Sequence, residues 1–180
     1  MSSVEEIEDL IGKVSLGDRQ AFGRLYDLTN AKLFGVALRV LKDRASAEDV
    51  LQETYMKVWR RADRYARGGT SPMTWLITIA RNTAIDKLRA RRDSDDIDAM
   101  ADMLPGSGPT PEQVAVAAGE AGRIADCLGE LESPRDRAVR GAYLEGLSYA
   151  ELSEKLGVPL NTVRTWLRRS LISLRECMER

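Results

Sequence analysis

Histidine is absent from all 180 residues. That removes zinc sites built from Cys/His sets and nucleophiles activated by an imidazole. Cysteine is scarce too. Cys127 and Cys177 stand far apart, each inside a helical pattern, and such a pair in a reducing compartment is expected to be two buried or idle thiols, not a disulfide. Nothing near either residue depresses a thiol pKa convincingly. There is no glycine-rich phosphate loop, so an enzyme has little to work with, and neither cofactor nor metal is expected. No apolar run reaches the length that spans a bilayer. The opening MSSVEEIEDL is acidic and lacks the apolar core of a signal peptide, so the expected location is the cytoplasm, without membrane insertion.

Present instead are enough apolar residues, 43%, for one ordinary domain or two small ones, and 31% charged residues to solvate them. The net charge of −1 conceals three blocks. Residues 1–92 carry 17 basic and 12 acidic groups, residues 93–133 carry 1 and 10, and residues 134–180 carry 9 and 6. Two basic blocks around an acidic connector suggest polyanion-binding modules on a tether that polyanions repel.

Helical periodicity recurs, and strand signals are nearly missing. Phe22, Leu25, Tyr26, Leu33, Val36, Ala37 and Val40 make one buried stripe, with Asp18 as N-cap. In SAEDVLQETYMKVWRR, Ser46 and Asp49 read as a capping box, and Ala47, Val50, Leu51, Tyr55 and Val58 as the apolar face. After the loop DRYARGGTS, Ser71 and Pro72 start MTWLITIARNTAIDKLRARR, which is apolar around much of its circumference and so central to a bundle. The Asp-rich segment from Asp93 to Pro111 reads as an exposed linker holding at most one short helical turn. Thr110-Pro111 with Gln113, Ser133-Pro134 with Asp136, and Ser148 with Glu151 then open three further helices. The expected fold is all-α: domains at 1–92 and 112–180 joined by a linker at 93–111.

Three constellations carry function. In SYAELSEKLGVPLNTVRTWLRRSLISLRE a short helix from Ser148 to Leu156 ends at Gly157, a left-handed C-cap residue, and a second restarts at Asn161 or Thr162. Leu152, Leu156, Val163, Leu167, Leu171 and Leu174 supply the inner stripe, with Ser153 small at the crossing. This is helix-turn-helix spacing. At about 100° per residue, Asn161, Thr165, Arg168 and Ile172 share the outer face, flanked by Arg164 and Arg169. Polar and Arg side chains there can reach base edges and phosphates. The bland alternative is an ordinary solvated hairpin. Trp166 falls on the shoulder between core and outer face, which suits packing against the preceding helices; the alternative is a contact to a phosphate or to an inhibitory partner.

The second constellation sets Arg64, Tyr65 and Arg67 on a loop beside a helix bearing Arg81, Asn82, Lys87, Arg89, Arg91 and Arg92. Aromatic groups among basic ones suit single-stranded nucleic acid; the alternative is a core Tyr and Trp beside a basic surface, and Trp75 is assigned to the core. The third is the acidic face of Asp49, Gln52, Glu53 and Met56. It is either plain solvated surface or a dock for a basic protein.

In their order and spacing, AEDVLQETYMKVWRRADRY, PMTWLITIARNTAIDKLRARR and LSYAELSEKLGVPLNTVRTWLRRSL resemble bacterial extracytoplasmic-function (ECF, group IV) RNA polymerase sigma factors over nearly the whole chain. The resemblance implies a sigma region 2 domain at 1–92 and a sigma region 4 domain at 112–180. It implies core RNA polymerase as partner, through the β′ clamp helices and the β flap, with Asp49, Gln52 and Glu53 on the clamp helices. The loop at Arg64–Thr70, with Tyr65 and Arg67, would capture an unstacked base of the −10 element, and Arg81, Asn82, Lys87 and Arg89 would guide the opened strand. Asn161, Thr162, Arg164, Thr165, Arg168 and Arg169 would meet the −35 duplex in its major groove. The linker would run through polymerase channels, and an anti-sigma factor would hold the protein inactive. Many family members have Gly before the Thr-Val of the second helix and a polar residue in place of Trp166, so the −35 preference does not transfer. The rival class is a dimeric helix-turn-helix regulator, which leaves the basic-aromatic loop and the acidic face without a purpose.

Overall fold

A computed structural model describes residues 4–93 and 109–180. The expected linker, with its possible short turn, falls mostly outside them. The chain divides into two compact units at Val114/Ala115, and among the described residues both are built of helices.

The first unit holds α1 (Val4–Ser15), α2 (Arg19–Leu41), α3 (Arg44–Arg61), a 3-10 turn (Ala62–Arg64) and α4 (Pro72–Asp93). Asp18 caps α2 as expected, its carboxylate accepting from the backbone N–H of Gln20 and Ala21 at 2.9 and 3.0 Å. The cap of α3 differs from expectation. Asp43 takes that place, accepting from the N–H of Ser46 at 3.0 Å, and Ser46 lies buried inside the helix. Hydrogen bonding to Ser46, aided by Arg91, holds the Asp43 carboxyl below its ordinary range. An Asp two residues before the Ala-Ser pair supplies a stronger, charged acceptor, so the helix begins a turn earlier than the Ser46 reading.

Side chains of all four helices meet in one core. Ile7, Ile11 and Val14 of α1, Leu25, Leu33 and Ala37 of α2, Ala47, Val50 and Val58 of α3, and Leu76, Ala80 and Ala84 of α4 are all buried. The stripe of α2 is rotated from the expected one. Thr29, Asn30 and Phe34 are buried, while Phe22, Tyr26 and Val36 are half-buried at its margin. Thr29 donates to the Leu25 carbonyl at 2.6 Å, which leaves its oxygen to accept from the Tyr55 hydroxyl, also at 2.6 Å. The apolar face expected for α3 is buried throughout.

The second unit holds α5 (Pro111–Gly129) from Ala115 onward, α6 (Ser133–Tyr143), α7 (Tyr149–Leu156) and α8 (Leu160–Glu179). Leu128, Ala138, Val139, Ala142, Leu152, Val163 and Leu167 form its core. Helix α6 starts one residue earlier than expected, with Glu132 at the cap and Ser133 already helical. Gly141 lets α7 close against α6, since a Cβ there would stand 2.5 Å from Leu152 Cδ2.

Cys127 and Cys177 are joined by a disulfide, which overturns their reading as separate thiols. Fifty residues apart in sequence, they face each other across α5 and α8 with Cα atoms 5.8 Å apart. Arg123, donating to the Met178 carbonyl at 2.7 Å, joins the same two helices, and Arg180 pairs with Glu130 at 2.5 Å just beyond their ends.

Candidate functional site

The helix-turn-helix is assembled as its spacing predicts. Ser148 and Glu151 form a reciprocal capping box, at 3.2 Å from the Glu151 N–H to Ser148 Oγ and 2.6 Å from the Ser148 N–H to the Glu151 carboxylate. Gly157 ends α7 in the left-handed conformation at φ 66°, and Ser153 Oγ donates to the Val158 carbonyl at 2.5 Å, bracing the turn. The restart differs from expectation. Proline fixes φ at Pro159, whose carbonyl accepts from Thr162 and Val163, so α8 begins at Leu160 and Asn161 is not its cap. Relieved of that duty, the Asn161 side chain is exposed in the first turn.

Helix α8 therefore carries two distinct faces. Val163, Leu167 and Ser170 are buried, Leu174 is half-buried, and Trp166 packs against the same core from the side, as its position on the shoulder predicts. Leu171, expected in the stripe, is instead exposed, and buried Ser170 takes its place. Asn161, Arg164, Thr165, Arg168 and Arg169 are exposed, and Thr162 is half-buried. Among the described residues none of Arg164, Arg168 and Arg169 is held in an ion pair. Three uncommitted guanidinium groups beside exposed amide and hydroxyl groups give a surface that can neutralise phosphates and donate to base edges.

In the first unit the predicted nucleic-acid residues divide into three groups. Arg64, Tyr65 and Arg67 lie on and beside the loop preceding α4. Tyr65 does not present its ring as a stacking platform. The ring tilts against Trp75 with centroids 5.4 Å apart, and the hydroxyl reaches Glu8 at 2.7 Å and the Thr70 carbonyl at 2.9 Å. Burial first, and then the Glu8 carboxylate, raise its pKa to about 12. Arg67 is paired with Asp9, while Arg64 is exposed. The middle group is Arg81 and Asn82, whose side chains touch at 3.2 Å, with Asn82 exposed. Arg89 is exposed farther along α4. Lys87 turns the other way, toward α3, and pairs with Asp49 at 3.1 Å.

On α3, Asp49, Gln52, Glu53 and Met56 are all exposed. Glu53 is bridged to Lys57 at 2.9 Å. Sequence reasoning missed Trp59, which continues this face while its ring packs T-shaped with Phe22, centroids 5.1 Å apart. Its i, i+3 relation to Met56 was the available signal. Among the described residues no helix is long and apolar enough to cross a membrane.

Comparison with known proteins agrees with both units. The Sigma-70 region 2 family matches residues 25–94, and the Sigma-70, region 4 family matches residues 121–174. The ECF RNA polymerase sigma factor SigK of Mycobacterium ulcerans is 32% identical over 184 aligned positions, covering 97% of this chain and 95% of the relative. That of Mycobacterium tuberculosis strain H37Rv is 31% identical, covering 97% and 94%. Among solved structures, Rhodobacter sphaeroides SigE in complex with the anti-sigma ChrR matches with a TM-score of 0.48 at 25% identity, covering 97% of this chain and 99% of that one. RpoE of Bartonella quintana in complex with the anti-sigma factor NepR matches with a TM-score of 0.39 at 24% identity, covering 88% and 96%. With sigma regions 2 and 4 in order and relatives above 30% identity along nearly its full length, the chain belongs to the ECF RNA polymerase sigma factors, non-enzymatic proteins that direct transcription initiation.

Proposed function

We propose that the two units divide promoter recognition between them, with 1–92 engaging core polymerase and the −10 element and 112–180 engaging the −35 element. In this reading α8 enters the major groove. Asn161, Thr165 and Arg168 face base edges, and Thr162, Arg164 and Arg169 contact the backbone. The observation that carries it is the exposed face of α8, where three guanidinium groups are without an ion pair among the described residues. Charged groups left unpaired on a helix-turn-helix are available to phosphates, and counterion release then favours DNA binding.

The acidic face of Asp49, Gln52 and Glu53, extended by exposed Met56 and Trp59, docks on the β′ clamp helices of core polymerase, and the β flap receives the second unit. An acidic patch on a basic module repels DNA, which supports a protein partner for it. The loop at 64–70 captures an unstacked −10 base, and Arg81, Asn82, Lys87 and Arg89 line the path of the opened strand. Lys87 is engaged by Asp49, an exposed pair that phosphate can exchange. The protein works in the cytoplasm, and an anti-sigma factor restrains it; the anti-sigma complexes of its structural neighbours motivate that part.

Two weak DNA modules become specific only when polymerase fixes their separation. A gel-shift assay on promoter DNA, with and without core polymerase, tests this. Retention of the promoter is expected only with polymerase. Tight, specific binding by the protein alone would overturn the reading in favour of a free-standing regulator.

A further inference from the structure

The loop at residues 65–70 takes its shape from a helix more than fifty residues away in sequence. Its internal bonds are few: the Gly69 N–H donates to the Ala66 carbonyl at 3.3 Å, and Gly68 sits at a positive φ of 78°. Two side chains tie it to α1 instead. Tyr65 shares its one hydroxyl proton between Glu8, at 2.7 Å, and the Thr70 carbonyl, at 2.9 Å, so one group fixes both ends of the loop. Arg67 pairs with Asp9, the next residue on α1. Helix α1 is itself fixed, with Ile7, Leu10, Ile11 and Val14 in the core and Glu6 bridged to Arg24 of α2 at 3.2 Å. It also lies outside residues 25–94, the stretch that matches the Sigma-70 region 2 family.

We propose that Glu8 and Asp9 are positioning residues that preset the 65–70 loop for capture of an unstacked promoter base. The two contacts differ in kind. Tyr65 keeps its proton at neutral pH, so the Glu8 contact is a charge-assisted hydrogen bond from a half-buried donor and acts as the fixed end. The Arg67–Asp9 pair is mostly exposed on both sides, so phosphate can take Arg67 while Tyr65 still holds the loop. A loop ordered before DNA arrives binds at its intrinsic affinity; one that must first order itself binds more weakly by the fraction of time it is competent.

The proposal rests on the reading of this loop as the −10 contact, and the test separates the two. Full-length protein assembled with core polymerase is bound to fork promoters carrying each of the four bases at the captured −10 position. Amide hydrogen exchange of residues 66–70 and thermal melting are measured on the same variants. If clasp removal leaves the loop competent one-fifth of the time, Glu8→Ala lowers affinity for the preferred base about five-fold and speeds loop exchange. Glu8→Gln, which keeps an acceptor for Tyr65, should restore most of both. Tyr65→Phe, which also loses the bond to the Thr70 carbonyl, should be at least as severe as Glu8→Ala, and the double variant should be no worse than Tyr65→Phe alone. A Glu8→Ala protein that melts earlier but keeps its base preference and loop protection would overturn the clasp. Replacing residues 67–69 with alanine controls for the reading beneath it: loss of preference there, with none in Glu8→Ala, sinks the clasp alone. Unchanged preference in the loop replacement sinks the −10 assignment, and the proposal with it.

Discussion

Single residues on these helices carry separable duties, and three of them make direct tests. Asp43 caps α3 with a carboxylate whose folded pKa is lowered, so its contribution is complete above the ordinary carboxylate value of 3.8 and is lost as pH falls below it. Asp43→Ala should lower the stability of the first unit by about 1 kcal/mol at neutral pH, and denaturant melts at pH 7 and pH 3 should show the difference shrinking in acid. Ser170 is fully buried, and among the described residues its hydroxyl has no hydrogen-bond partner. Ser170→Ala removes an unsatisfied group and should be neutral or stabilising by about 1 kcal/mol, read from the melting midpoint. Trp166 packs from the side of the second core, so Trp166→Ala should cost about 2 kcal/mol of stability before it affects promoter binding. Unchanged melting with lost promoter or inhibitor binding would instead place Trp166 in an interface.

At the scale of the element, α8 acts as a lever with one face in the core and one in solvent. Its outer arginines should behave differently in a reconstituted polymerase binding assay. Arg164→Ala and Arg169→Ala should weaken all promoters alike and reduce the salt dependence by about one unit each, whereas Arg168→Ala should relax preference at one −35 position by about 1–3 kcal/mol. The inner geometry has a tight point at Gly141, where α6 and α7 approach. Gly141→Val forces the buried Leu152 aside and should destabilise the second unit by about 2 kcal/mol, with loss of −35 binding following from displacement of α7.

At the scale of the whole molecule, one cross-link within the second unit and the distribution of charge are the features that matter. The Cys127–Cys177 disulfide closes a loop with a sequence separation of 50, and the chain-entropy relation for that length gives about 4 kcal/mol. Reduction, or replacement of both cysteines by serine, should lower the melting temperature of the second unit and leave the first unchanged. Differential scanning calorimetry with and without reductant checks this. The charge blocks act on the same scale. Basic modules flank an acidic connector, an arrangement that disfavours simple wrapping of the chain on DNA.

The local sequence determined much of this protein. Helical periodicity, the Asp18 cap, the Ser148–Glu151 box and the left-handed Gly157 are decided by backbone geometry and neighbours within four residues, so they can be read from short windows. The resemblance of three ordered segments made the family legible for the same reason: the motifs are contiguous. Tertiary structure decided whatever depends on distant groups meeting. It brought Arg91 of α4 onto Asp43 and Ser46 at the start of α3. It turned Lys87 toward Asp49, joined two cysteines that the sequence keeps fifty residues apart, and placed Tyr65 between Glu8 and Trp75. Such pairings are set by how apolar faces pack, and packing follows from the whole set of buried side chains at once. No window of the sequence contains both partners.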